Sequence, residues 1–283
     1  MIHQKKNIKY LVAFLNFYTY SRRILKRNQT LLITTIVSVI CTLPILTAIP
    51  FAYLVYEETH IADFWVLRHQ IKNKVYRRAV NVLGGYVHQT VCSEHPLLLC
   101  LSMCILLHSY GLLLKQCNEN LYNINFSPSS IKCAEIFNDF CAIEVKTRLL
   151  KSTLSVPLFV SLFSSFSSLF FALATNLKAN AEPTFSLELG INALIGIIVL
   201  FSLTVCSSRI PEYMTKIKTT ARSLINKYQL RNMDAGKEID YLLRMEKTDA
   251  VYLCACGMVD FKRSLLLSSF GTLFTYGVLI MNT

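Results

Sequence analysis

The chain has 283 residues, of which 53% are hydrophobic and only 16% are charged, and its mean hydropathy is +0.42. Soluble domains carry roughly 25% charged residues, so this composition argues against an ordinary soluble domain. A net charge of +12 is found in nucleic-acid-binding proteins and also in multi-span membrane proteins with basic cytoplasmic loops. The apolar composition favours a membrane protein. We therefore expect the lipid bilayer as a partner and no nucleic acid.

Residues 1–30 form a basic segment without any Asp or Glu. The apolar stretch at 10–20 runs into Arg22 and Arg23 instead of a small-residue cleavage site, so no secretory signal peptide is predicted. We expect residues 1–30 to be cytoplasmic and to form an amphipathic helix on the inner membrane surface.

Five apolar runs follow, and none of them contains Asp, Glu, Lys or Arg. A helix needs about 20 such residues to cross a hydrocarbon core of about 30 Å. Pro44, Pro50 and Pro157 fall within these runs and are expected to produce kinks, which a membrane bundle tolerates. The sequence therefore predicts an all-α, polytopic membrane helical bundle over residues 31–283. Its predicted spans are 31–56, 96–114, 153–177, 189–206 and 264–283.

The connecting segments differ strongly in charge, and this difference predicts the orientation. Most of the 29 Lys and Arg residues fall on segments 1–30, 115–152 and 207–263. Few fall on segments 57–95 and 178–188. Because cytoplasmic loops are enriched in Lys and Arg, we expect the N-terminus inside and the C-terminus outside. The sequence therefore predicts a multi-pass membrane protein.

A few polar residues interrupt the predicted spans. Ser161, Ser164, Ser165 and Ser168 share one helix face, which favours close helix packing, with the wall of a wet ligand cavity as the alternative. His108 is expected to be a neutral imidazole bonded to a neighbouring group. None of these residues identifies a ligand pocket.

No sequence feature indicates catalysis. The chain lacks a Gly-rich phosphate loop, an HExxH motif and a nucleophile elbow. Cys254 and Cys256 have no second pair at zinc-ligand spacing, so no metal site is expected. Only Cys92 of the ten Cys lies on the predicted outer side and outside the spans, so no outer intrachain disulfide is expected. We predict that the protein is not an enzyme and binds no cofactor.

The long segment 207–263 is predicted to form a cytoplasmic helical anchor. A turn at 232–236 separates a first helix from a second one over about 237–249. Such a pair cannot bury its apolar stripe alone, so we expect it to pack on other helix ends or on another subunit. The apolar stripe of the first helix contains Ile210, Met214, Ile217, Ala221, Leu224 and Tyr228.

The C-terminal segment 256–283 resembles the signature ending of arthropod gustatory receptors. That family has a Cys-Gly pair, a basic approach to the last span, and then Thr-Tyr, five apolar residues and Gln-Phe. Here Thr275 and Tyr276 match the Thr-Tyr pair, and the next five residues are apolar. Asn282 stands where Gln is usual, which keeps the amide, and Thr283 stands where Phe is usual.

This resemblance implies a seven-span chemoreceptor architecture. The five predicted spans resemble the third to the seventh, with the first two absent from this chain. It implies a taste receptor that is a ligand-gated, non-selective cation channel for small-molecule tastants. It further implies a homo- or heterotetramer whose last span lines the pore, with Thr275, Tyr276 and Asn282 on or beside the pore helix.

Three other protein classes remain as alternatives. A G-protein-coupled receptor requires seven spans and an outside N-terminus, which is opposite to the charge bias. A transporter is expected to show internal repeats and charged midplane segments, which are not evident. A polytopic membrane protein without a channel is the third alternative.

Overall fold

A computed structural model describes residues 6–15, 27–54, 73–124, 130–177, 183–230 and 236–281, and nearly all of them are helical. The elements are α1 (6–15), α2 (Arg27–Leu54), α3 (Lys74–Gln89), a π-helical turn (Thr90–Glu94), α4 (His95–Tyr122), α5 (Ser130–Leu177), α6 (Pro183–Leu230), α7 (Gly236–Lys247), β1 (Cys254–Ala255), β2 (Val259–Asp260) and α8 (Ser264–Met281).

The part of the chain that the structure describes contains four helical segments long and apolar enough to cross a membrane. They are Leu31–Ala48, Lys74–Tyr122, Lys132–Thr175 and Glu188–Gln229, and a shorter apolar helix covers Ser264–Leu279. The predicted membrane helical bundle is therefore confirmed as the fold class.

Several helices extend well beyond the apolar runs that predicted them. Both α5 and α6 contain 48 residues. At 1.5 Å per residue each is about 70 Å long, more than twice the thickness of a hydrocarbon core. In addition, residues 74–95 are helical although the sequence reading placed them in a loop. This helix begins where the side chain of Asn73 accepts a hydrogen bond of 2.9 Å from the backbone N–H of Val75.

The chain divides into two compact units. Unit 1 contains Met1–Arg22, Met103–Val160 and Ser202–Leu267, and unit 2 contains Arg23–Ser102, Ser161–Phe201 and Ser268–Thr283.

The core of unit 1 is built on the predicted amphipathic part of α6. Its apolar stripe is confirmed, because every member is at most 6% exposed: Ile210, Met214, Ile217, Ala221, Leu224 and Tyr228. Helix α1 packs into the same unit, with Leu11 fully buried and the Phe14 ring stacked on Tyr110. Burial of these side chains stabilises the packing of α1 within unit 1, and the position of α1 at the inner membrane surface stays a prediction.

A short antiparallel hairpin in unit 1 connects α7 to α8. Cys256 and Gly257 both have positive φ, at 48° and 73°, and the N–H of Met258 donates to the carbonyl of Ala255. Positive φ at both central residues is the requirement of a type I′ turn, which a Gly satisfies without strain. The N–H of Cys256 donates to Oγ of Ser155 at 3.0 Å, so the turn is fixed to α5. The all-α reading of the sequence did not include this hairpin.

Close helix packing in unit 2 explains part of the serine face of α5. A Cβ placed on Gly196 of α6 would lie 3.0 Å from the carbonyl oxygen of Ser165. Ser161 and Ser165 are buried, and the hydroxyl of Ser165 donates to the carbonyl of Ser161. Small residues thus allow α5 and α6 to approach closely, as the packing interpretation predicted.

Candidate functional site

Helix α3 has its polar side buried within unit 2. Asn81, Gly85 and Gln89 are buried, and Ser93 of the π-helical turn continues this line at four-residue spacing. This arrangement is the reverse of a soluble amphipathic helix and is typical of a helix between lipid and a polar protein interior. The large apolar side chains of the helix are exposed instead: Val75, Tyr76, Val82, Leu83, Tyr86 and Val87.

Two buried polar atoms in this region have no hydrogen-bond partner among the described residues. They are Oδ1 of Asn81, whose side chain is 3% exposed, and Oγ1 of Thr90. In contrast, Oε1 of Gln89 accepts a 2.9 Å hydrogen bond from the hydroxyl of Ser93. Leaving a buried polar atom unsatisfied costs about 1–3 kcal/mol, so such atoms mark a place that can accept a polar ligand or water.

An imidazole, a carboxylate and a thiol meet beside this polar face. Nε2 of His88 lies 2.5 Å from Oε1 of Glu188, which α6 contributes. Nδ1 of the same ring lies 3.7 Å from Sγ of Cys92 in the π-helical turn. Because a carboxylate only accepts, Nε2 carries a proton, and a neutral His88 then offers the lone pair of Nδ1 to the thiol. Sequence reasoning missed this cluster, since His88 and Glu188 are 100 residues apart.

A second histidine, His108 on α4, contacts the guanidinium group of Arg209 in unit 1. Nη1 of Arg209 lies 2.8 Å from Nδ1 of His108. A guanidinium has donors only, so Nδ1 accepts, which agrees with the predicted neutral imidazole bonded to a neighbour. Along α6, Glu188 and Arg209 bracket about 20 uncharged residues, the number needed to cross a hydrocarbon core.

The residues predicted from the C-terminal signature lie on α8 in unit 2. Thr275 is exposed, and its hydroxyl donates to the carbonyl of Gly271 at 2.9 Å. Tyr276 is 49% exposed, and its ring contacts the Phe170 ring edge-on at 5.8 Å between centroids. Asn282 lies outside the described residues. The structure therefore describes Thr275 and Tyr276 as neighbours on one helix and does not join them to the His88 cluster.

Helix α8 exposes most of its apolar surface. Its buried positions include Ser269 and Gly277, and a Cβ on Gly277 would lie 3.4 Å from the side chain of Leu173. Such a large apolar surface requires contact with lipid or with another protein chain. The exposed side chains include Leu267, Phe270, Phe274, Val278 and Leu279.

Solved structures share this arrangement of helices. The insect olfactory receptor OR5 from Machilis hrabei in complex with eugenol matches with a TM-score of 0.56 at 13% sequence identity. The match covers 96% of this chain and 74% of the receptor chain. The chain has the fold of an insect olfactory receptor. A second structure of that receptor matches with a TM-score of 0.55 and 10% identity over the same shares of the two chains.

This olfactory receptor fold confirms the resemblance to an arthropod chemoreceptor at the level of the fold. No protein-family model and no curated protein sequence matches the chain. The fold match extends over nearly the whole chain, whereas the signature ending covers only residues 256–283.

Proposed function

We propose that the protein is a taste chemoreceptor, namely a ligand-gated, non-selective cation channel that detects small-molecule tastants at the plasma membrane. The observation that carries this proposal is the olfactory receptor fold, which covers 96% of the chain. The signature ending with Thr275, Tyr276 and Asn282 supports taste over smell, because it resembles the gustatory branch.

The exposed surface of α8 supports an oligomer around an ion path. In one copy of the chain, Leu267 is 80% exposed and Phe274 is 75% exposed. Four copies arranged around an axis would bury part of this surface between subunits and leave one face towards the axis. A pore lined by apolar side chains excludes water when narrow and conducts when widened, and Thr275 and Asn282 would supply its polar groups.

The polar face of α3 supports a ligand site in unit 2. Asn81 and Thr90 provide buried atoms without a hydrogen-bond partner in the part of the chain that the structure describes, and Gln89 and Ser93 extend the polar surface. Small-molecule sites combine apolar walls with a few placed polar groups. A tastant with at least one hydrogen-bonding group would satisfy these atoms.

Reconstitution tests the channel directly. Purified protein in liposomes is expected to conduct both Na⁺ and K⁺ when a compound from a tastant panel is added, and native mass spectrometry is expected to show four copies. The panel includes eugenol, the ligand in the matched receptor structure. Compound-evoked signals that require added G protein would favour the receptor alternative. Absence of flux from tetrameric protein with every compound would contradict the channel.

A further inference from the structure

We propose that Cys92, His88 and Glu188 form a covalent binding site for small α,β-unsaturated carbonyl compounds, with the Cys92 thiol as the nucleophile. The thiol is exposed, lies 3.7 Å from Nδ1 of His88, and belongs to a π-helical turn. Isolated π-helical turns occur frequently at functional sites because they displace side chains from regular helical positions.

The three side chains have distinct roles: Cys92 is the nucleophile, His88 is the base, and Glu188 orients the His88 ring. Glu188 bonds Nε2 of His88, which fixes the ring and leaves Nδ1 directed at Sγ of Cys92. This is the relation by which a neighbouring base activates a thiol, since the thiolate and not the thiol is the nucleophile. The positive charge that the ring gains is balanced by the Glu188 carboxylate.

The addition balances in atoms and electrons without another reactant. Nδ1 of His88 takes the thiol proton as Sγ bonds to the β-carbon of the electrophile. The π electrons of the C=C bond move towards the carbonyl group and form an enolate. The enolate carbon then takes a proton back from His88, and the product is a thioether.

The cluster itself favours a reagent with a carbonyl group next to its C=C bond. A thiolate adds to the β-carbon of such a reagent because the carbonyl group accepts the electron pair, and the protonated His88 formed in the first step then returns its proton. If the protein is the chemoreceptor proposed above, the adduct would be a covalently bound ligand; this consequence rests on the proposed function, whereas the thiol reactivity does not.

Labelling of the purified protein in detergent tests the site without a channel assay. The probe is N-ethylmaleimide at less than one equivalent, and peptide mass spectrometry follows each cysteine with time. Cys41 and Cys256 are the internal controls, since both thiols are exposed and no imidazole bond to either is evident among the described residues. We expect Cys92 to be labelled at least about tenfold faster than either control, because general-base assistance contributes about 10²-fold or more.

Two variants separate the roles of the cluster. His88→Gln is expected to reduce the labelling rate of Cys92 to that of Cys256. Glu188→Gln is expected to reduce the labelling rate of Cys92 only partly. The labelling rates of the control cysteines are expected to stay unchanged in both variants. Equal rates at Cys92 and Cys256 in the unmodified protein would overturn the proposal, and so would an unchanged Cys92 rate in His88→Gln. The comparison within the unmodified protein decides the question if a variant does not fold.

Discussion

His88 on α3 and Glu188 on α6 are joined by a hydrogen bond of 2.5 Å between Nε2 and Oε1, across 100 residues of sequence. Both side chains are partly buried. The bond therefore connects two helices in unit 2 that no local sequence signal pairs. It also fixes the ring that faces Cys92.

Replacing the Glu188 carboxylate by a neutral amide is expected to lower the stability of the folded protein. We predict that Glu188→Gln lowers the free energy of unfolding by about 1 kcal/mol, because bonds to charged groups contribute about 1.5–3 kcal/mol and partial exposure reduces that value. Thermal unfolding in detergent measures the change. Glu119→Gln is the matched control, since its ion pair with Lys115 is exposed and 3.7 Å long, and it is expected to have no measurable effect.

The contact between Gly196 and Ser165 predicts a second stability effect. Gly196→Ala places a methyl group 3.0 Å from a backbone carbonyl and is expected to cost about 1–3 kcal/mol through overpacking. Gly190→Ala on the same helix is the control, because nothing lies within 4 Å of its Cβ position and Ala favours a helix. If both variants unfold at the same temperature, the close approach of α5 and α6 at this point is incorrect.

The hairpin before α8 predicts a third effect. Gly257→Ala is expected to destabilise the protein by about 1–2 kcal/mol, since φ at this position is 73° and an L-residue pays a steric cost there. Cys256→Gly is expected to raise the unfolding temperature, because φ at Cys256 is also positive. Met258→Ala, whose side chain is 76% exposed, serves as the neutral control. Stabilisation by Gly257→Ala would exclude the turn described here.

Orientation is the fourth prediction, and it comes from sequence alone. An epitope tag before Met1 is expected to be detected only after cells are permeabilised, and a tag after Thr283 without permeabilisation. Asn125, in an Asn-Phe-Ser sequon, is expected to carry no glycan. An N-terminal tag that antibodies reach in intact cells would instead favour the G-protein-coupled alternative.

The sequence predicted those features that depend on local composition. Uncharged apolar runs identified the segments that form α2, α4, α5, α6 and α8, because a membrane span must exclude charge. Helical periodicity identified the buried α6 stripe, from Ile210 to Tyr228. The signature at Thr275 and Tyr276 indicated a chemoreceptor, and the olfactory receptor fold agrees with it.

What the sequence did not predict depends on long-range contacts or on mixed signals. The predicted outer segment 57–95 contains Lys74, Arg77 and Arg78 and has no long uncharged apolar run, whereas the structure shows helix α3 from Lys74 onward. The available signal for a helix with a buried polar side was the spacing of Asn81, Gln89 and Ser93, which are separated by multiples of four residues. The pairing of His88 with Glu188 had no local signal, because it depends on how α3 and α6 pack.

Chemical modification of α8 in the reconstituted channel tests the central claim most directly. Thr275→Cys is made in a background in which the exposed Cys41 and Cys256 are replaced by Ser, and a positively charged methanethiosulfonate is added during cation flux; the same background without Thr275→Cys measures any effect of labelling at Cys92. Met258→Cys, at an exposed position outside the predicted spans, is the labelled control. We predict that modification at position 275 reduces compound-evoked flux and that modification at position 258 does not. Complete labelling at position 275 with unchanged flux would contradict an ion path lined by α8.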